Sequence, residues 1–208
     1  MTMTVDHIGV ILYQDIEFLR VIGRLSFPLF AYLLVLGMES TRNIRNYLLR
    51  LFIFAFISQI PFSLATEVAP LDYLNIFFTL GLGLLCLHLM KTKQVYAIVP
   101  LLASLILPFD YGIYGIVIIG CMYILRENTT FGVIALLALN SLLLVPWNTQ
   151  FLSIAAIPFI ILHKNGPLYI IKEKNENYRI PSWRKYFFYI YYPLHLTLLY
   201  AIKISFLA

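Results

Sequence analysis

Residues 4–50 read TVDHIGVILYQDIEFLRVIGRLSFPLFAYLLVLGMESTRNIRNYLLR, and the fold is decided by how that stretch is punctuated. An Asp-His pair at 6–7 opens it, and an apolar run interrupted by Arg20 and Arg24 follows. Arg42, Arg45 and Arg50 then cluster before hydrophobic sequence resumes. Apolar runs of about 20 residues between short charged clusters mark membrane-crossing helices. The whole chain has the same character: 208 residues, 61% hydrophobic, 12% charged, with a mean hydropathy of +0.85. A soluble domain carries about 25% charged residues, so an integral membrane protein is expected.

Outward from that stretch, apolar length and Pro/Gly or charged punctuation place spans near 1–13, 17–38, 43–65, 73–90, 94–108, 111–126, 129–146, 150–163 and 184–207. The expected fold is all-α, a polytopic bundle of about nine transmembrane spans in a single domain over 1–208, with a first helix shorter than the usual span. Twelve of the fifteen Lys and Arg fall on one side of this alternating model, in or beside the connections after the second, fourth, sixth and eighth spans. Positive-inside bias then puts the N-terminus in the cytoplasm and the C-terminus outside, across the cell (inner) membrane. Residues 163–185, HKNGPLYIIKEKNENYRIPSWRK, read as a basic cytoplasmic loop. No basic n-region precedes the first apolar run, so no cleavable signal peptide is expected.

The net charge of +5 is spread between apolar runs. Tracking a phosphate backbone needs a continuous basic patch, so membrane lipids rather than nucleic acid are the expected surroundings. Cys86 and Cys121 lie inside apolar runs without metal-ligand spacing, and no metal is expected.

An ionisable group at membrane depth costs about 2.5–3.5 kcal/mol on insertion scales, and so tends to line a cavity or find a partner. Asp6, His7, Arg20, Arg24 and His195 are such groups, with Gln59, Asn75, Tyr191 and Tyr192 as a second tier. His7 and Arg24 fall at depths that match within roughly one helical turn. Arg20 and Arg24, four residues apart, share a helix face. Asp6 is also placed to serve simply as the ion-pair partner of either arginine.

These residue types permit acyl transfer. A histidine can take a proton from an attacking amine or hydroxyl, and an arginine can hold a developing oxyanion or a substrate anion. Arg42, Arg45 and Arg50 suit the phosphates of a nucleotide-bearing acyl donor. The chain has no Walker-type loop, no Gly-x-Ser-x-Gly elbow and no His-Glu-x-x-His.

The blocks DHIG (6–9), LRVIGRLSFPLFAYLL (19–34), TRNIRNYLLRL (41–51), FAFISQIPFSLA (54–65), LNIFFTLGLG (74–83) and KYFFYIYYPLHLTLLY (185–200) resemble, in order, those of the TraX family. Members of that family carry a longer segment before the DH block. The family takes its name from the conjugation protein that acetylates the N-terminal amine of F-type pilin, with acetyl-CoA as donor. The resemblance implies an acetyl-CoA-dependent acyltransferase in which Asp6 and His7 form the DH motif. It also assigns Arg24 to the arginine of the IGR-FPLF block and His195 to the closing YPLHL block. His7 is then the general base or nucleophile, and Asp6, Arg24 and His195 complete the catalytic set. Arg20, Arg42, Arg45, Arg50, Gln59, Asn75 and Tyr192 are expected to bind donor or acceptor. The acceptor is a protein such as pilin, or a surface glycan. Two other readings stay open: a transporter or lipid-handling protein for an anionic substrate, and a non-catalytic pilus-assembly factor.

Overall fold

The computed structural model describes residues 2–142, 149–166 and 182–207, without the side chains of 182, 184, 185 and 207. Most of the expected basic loop at 163–185, and part of the turn before residue 150, lie outside the described residues. The described chain is helical, and its one strand-like contact is an isolated parallel bridge between Leu74 and Phe109.

Helix α1 (Thr2–Ile11) turns into α2 (Glu17–Gly23), which leads through Arg24 and Leu25 into α3 (Ser26–Ser40). Arg24 and Leu25 keep right-handed helical angles, so 17–40 is one helical segment with a local break. The break has a cause in sequence: Pro28 has no N–H to donate to the carbonyl of Arg24. Helix α4 (Ile44–Thr66) follows, then α5 (Ile76–Thr92), and α6 (Ile98–Ile106) behind a 3-10 turn at Gln94–Ala97. Next come α7 (Gly112–Glu127), α8 (Thr129–Ser141), α9 (Ala156–Lys164) behind a 3-10 turn at Thr149–Ala155, and α10 (Ser182–Leu207). Three asparagines set helix starts by accepting an orphan backbone N–H. Asn43 accepts from Asn46 at 3.0 Å, Asn75 from Phe77 at 3.1 Å, and Asn128 from Phe131 at 3.1 Å.

Glu17–Ser40 and Ile44–Thr66, with 24 and 23 residues, are long and apolar enough to cross a membrane. Ile76–Thr92, Gln94–Ile106, Thr129–Ser141 and Thr149–Lys164 are shorter apolar helices. Ile53, Phe56, Ile57, Ile60 and Leu64 form an exposed apolar stripe along α4. In water that stripe would be a large unfavourable patch; in hydrocarbon it costs nothing. The core lies on the opposite faces, where Leu84, Ile118, Met122, Leu125, Leu136 and Leu196 are fully enclosed. At the α7–α8 crossing the backbones approach so closely that a Cβ on Gly132 would fall 2.1 Å from the Cα of Leu125.

Side-chain pairs fix the helix directions. α1 runs parallel to α10, since Thr4 meets Tyr191 and His7 meets His195. α4 also runs parallel to α10: Phe54 packs on Tyr189 at 5.0 Å, and Glu67 pairs with Lys203 at 2.7 Å. α3 runs parallel to α7, with Phe27 stacked on Tyr111 at one end and Glu39 paired with Arg126 at the other. In each of these three pairs the two segments are an even number of steps apart along the chain. The connections 67–75 and 107–111 and the 3-10 turn at Thr149–Ala155 gather at one end of these helices.

Candidate active site

The connection between α6 and α7 delivers a carboxylate into the helices. Leu74 N–H donates to Pro108 O at 2.8 Å, and Asp110 N–H donates to Leu74 O at 2.8 Å. Thr79 donates its hydroxyl to the carbonyl of Asp110. Tyr111 then takes a left-handed conformation with φ 64°, which costs a non-glycine residue about 1–3 kcal/mol unless its surroundings impose it. Here Tyr111 stacks on Phe27, with ring centroids 4.1 Å apart and an interplanar angle of 11°. The left-handed turn leaves Asp110 beside a cavity, where Tyr73 donates to its Oδ1 at 3.2 Å. Burial raises the Asp110 carboxyl from 3.8 to about 7. The hydrogen bond from Tyr73 opposes that rise, Asp6 adds to it, and Arg24 and Arg20 oppose it.

The cavity has a volume of about 320 Å³, its open mouth included, and is lined by Asp6, His7, Ser26, Asp110, Tyr111 and Tyr192 among others. α1 places Asp6 and His7 there because it packs tightly on α2. A Cβ on Gly23 would fall 2.1 Å from Asp6 Oδ1, so only glycine leaves room for that carboxylate. Asp6 Oδ1 lies 3.3 Å from Arg20 Nη1. The two form an ion pair without hydrogen-bond alignment, since Oδ1 has no hydrogen-bond partner.

His7 Nδ1 lies 2.9 Å from His195 Nε2, and His195 Nδ1 lies 2.9 Å from the carbonyl oxygen of Tyr191. Tyr192, which is 2% exposed, packs against both rings at 5.9 and 5.5 Å between centroids. Arg24 donates from Nη1 to Gln150 Oε1 at 2.9 Å, and its Nε is buried without a hydrogen-bond partner. A base and two carboxylates thus line one small space, and the Arg24 guanidinium lies behind it beside Tyr111. That set can accept a proton and hold an anion or a cation next to the same atom.

Of the residues expected from sequence, Asp6, His7 and Tyr192 line this cavity, with Arg20, Arg24 and His195 around it. Gln59 and Asn75 form a separate clasp. Gln59 Nε2 donates to Pro70 O at 2.9 Å and Tyr73 O at 2.7 Å, while its Oε1 accepts from Asn75 N and Nδ2 at 3.1 and 2.7 Å. Arg42 and Arg45 are exposed at the start of α4. Arg50 lies over the Tyr47 ring, 5.7 Å from its centroid, and beside Tyr189. These three arginines do not join the cavity. Asp110, Tyr111 and Gln150 join the site without having been expected there from sequence. The available signal was FDYG at 109–112, a lone carboxylate between two aromatic residues in a connection too short to be a loop of any size.

Polar groups thus converge among helices whose outer faces are apolar, in an all-helical protein with two segments long and apolar enough to cross a membrane. The chain belongs to the TraX family: the family model described as TraX protein matches residues 1–203. The probable fimbrial assembly protein FimC, serogroup H1, of Dichelobacter nodosus is 30% identical over 231 residues, covering 97% of this chain and 91% of that one. No solved structure matches the chain.

Proposed function

We propose that this chain is a membrane-embedded acetyltransferase that moves an acetyl group from cytoplasmic acetyl-CoA to an amine or hydroxyl of a pilin or surface glycan. The observation that carries the reading is His7, hydrogen-bonded to His195 at the wall of a cavity that also presents Asp6 and Asp110. The acceptor nitrogen or oxygen attacks the acetyl carbonyl carbon, its proton passes to His7, and the carbon–sulfur bond breaks to release thiolate. His7 can alternatively carry the acetyl group itself between donor and acceptor. Arg24, with its free Nε–H, stabilises the tetrahedral oxyanion. Asp110 and Asp6 offer negative charge to a cationic acceptor, and Tyr192 closes the wall behind it.

The topology belongs to the same proposal. Nine crossings with a cytoplasmic N-terminus and an extracytoplasmic C-terminus follow from the alternation of basic clusters along the chain. Arg42, Arg45 and Arg50 then lie at the cytoplasmic end, where they receive the donor's phosphates. His7 lies deeper, toward the end that carries Asp110.

The test is acetyl-CoA-dependent thiol release by the purified protein, with N-terminal pilin peptides and polysaccharide acceptors. His7→Ala and Arg24→Ala should each lower turnover at least about 100-fold. Turnover that survives in both variants overturns the assignment. A second reading, a pilus-assembly factor without turnover, is favoured by the name of the FimC relative. It requires that cells carrying His7→Ala still assemble fimbriae normally while the purified wild-type protein releases no thiol.

A further inference from the structure

We propose that His195 is a positioning residue that fixes the ring tautomer of His7, leaving His7 Nε2 as the basic nitrogen available to the cavity. The catalytic consequence rests on the acetyltransferase reading; the tautomer itself does not.

The carbonyl oxygen of Tyr191 has lone pairs and no proton, so the 2.9 Å contact from His195 Nδ1 requires the proton on Nδ1. A neutral imidazole carries one N–H, so His195 Nε2 bears a lone pair. That lone pair faces His7 Nδ1 at 2.9 Å. Two lone pairs at this separation would repel, so His7 Nδ1 must carry its ring proton and donate it, while the Met3 backbone, one turn earlier on α1, is a further hydrogen-bond partner of the His7 ring. His7 is then neutral, protonated on Nδ1 and unprotonated on Nε2.

The backbone anchors this chain of assignments. Tyr191 and His195 are four residues apart on α10, which is one helical turn, so the carbonyl and the ring keep their alignment wherever α10 goes. The His195 ring is further held by stacking on Tyr191, with centroids 5.1 Å apart and an interplanar angle of 13°. His7 lines the cavity, whereas His195 is not among its lining residues. The reacting nitrogen is therefore assigned to α1 and its orientation to α10.

The relay also has a role once His7 has taken a proton on Nε2. The imidazolium Nδ1–H then donates to a neutral acceptor at His195, and this charge-assisted bond is stronger than the neutral one. His195 thus favours the protonated state that follows attack without touching the acetyl group.

The experiment is nitrogen-15 NMR of histidine-labelled protein in lipid bilayers, with signals assigned by removing His7, His88, His163 and His195 one at a time. The expected wild-type spectrum has His7 protonated at Nδ1 and bare at Nε2. His195→Phe keeps a flat ring but removes the acceptor, and should release His7 into a mixture of tautomers. It should also lower kcat about 100-fold with KM for acetyl-CoA nearly unchanged. His195→Gln places an amide oxygen where Nε2 stood and should restore both the tautomer and most of kcat. A wild-type His7 protonated at Nε2, or a doubly protonated His195, overturns the proposal. So does a His195→Phe variant whose His7 remains protonated only at Nδ1. The wild-type spectrum decides the matter even where a variant fails to fold. Absence of thiol release from every form would sink the acetyltransferase reading and leave the tautomer assignment standing.

Discussion

Replacing Gln59 by leucine separates a structural clasp from a ligand contact. Gln59 makes five hydrogen bonds, three donated to Ser63 Oγ and the carbonyls of Pro70 and Tyr73 and two accepted from Asn75. They are not of equal worth, and the 3.4 Å contact to Ser63 contributes least. Pro70 and Tyr73 are exposed, so water can reach their carbonyls and each lost bond there costs roughly 0.5–1 kcal/mol. Asn75 is fully buried. Its Nδ2 keeps a second acceptor in Ala55 O at 2.8 Å, but its backbone N–H is left without one. An orphaned buried donor costs about 1–3 kcal/mol. The sum is about 2–5 kcal/mol, which for a chain of this size lowers the melting temperature by roughly 5–15 °C. The assay is a thermal melt in detergent run beside a titration of acetyl-CoA below the melting range. Gln59→Leu should melt early and, while folded, bind the donor as the wild type does. A variant with unchanged melting temperature and lost donor or acceptor binding would refute the clasp and return Gln59 to the substrate.

Gly23→Ala should be the most damaging single-methyl change near the site, because the new Cβ would meet Asp6 at 2.1–2.4 Å. It should separate α1 from α2 at a cost of about 1–3 kcal/mol, and turnover should fall with the melting temperature. Gly120→Ala, with nothing within 4 Å of the added methyl, should leave both unchanged. Asp110 makes stability pH-dependent. Its carboxyl is raised from 3.8 to about 7 in the folded protein, so its stabilising protonation is complete below about pH 4 and is lost as pH rises through about 7. Between about pH 6 and pH 8 the wild type should lose about 1 kcal/mol that Asp110→Asn retains, seen as a divergence of their melting curves. Lys164 Nζ donates to Leu125 O, Arg126 O and Thr129 Oγ1 at 3.0, 3.1 and 2.7 Å, capping the last turn of α7. Lys164→Met should cost about 1–3 kcal/mol in the same melts.

The helix positions were legible because apolar length and helix-breaking residues are local properties. The expected 43–65 and 111–126 fall within two residues of Ile44–Thr66 and Gly112–Glu127. The ion pair of Asp6 with Arg20 was legible too, since depth along a helix can be counted from its ends. Asp110 was not. In sequence, a carboxylate between two spans looks the same whether it faces water or turns inward. What turns it inward is the Leu74–Phe109 bridge and the left-handed Tyr111, which depend on contacts distant in the chain. Gln59 and Asn75 show the converse failure. Their depth placed them near the site, but depth does not reveal that two amides satisfy one another before any ligand can use them.

The pairing of His7 with His195 has a consequence for biosynthesis. The two residues are separated by 188 positions, so every helix between them is made before the pair can form. During translation α1 exists for most of the chain's synthesis without the partner that orients its histidine. Until α10 is made, α1 lacks the ring that meets His7 Nδ1 at 2.9 Å, and the core lacks Tyr189, Tyr192, Leu196 and Leu199. The last helix to be synthesised is therefore the one that completes both the histidine pair and the packing around it.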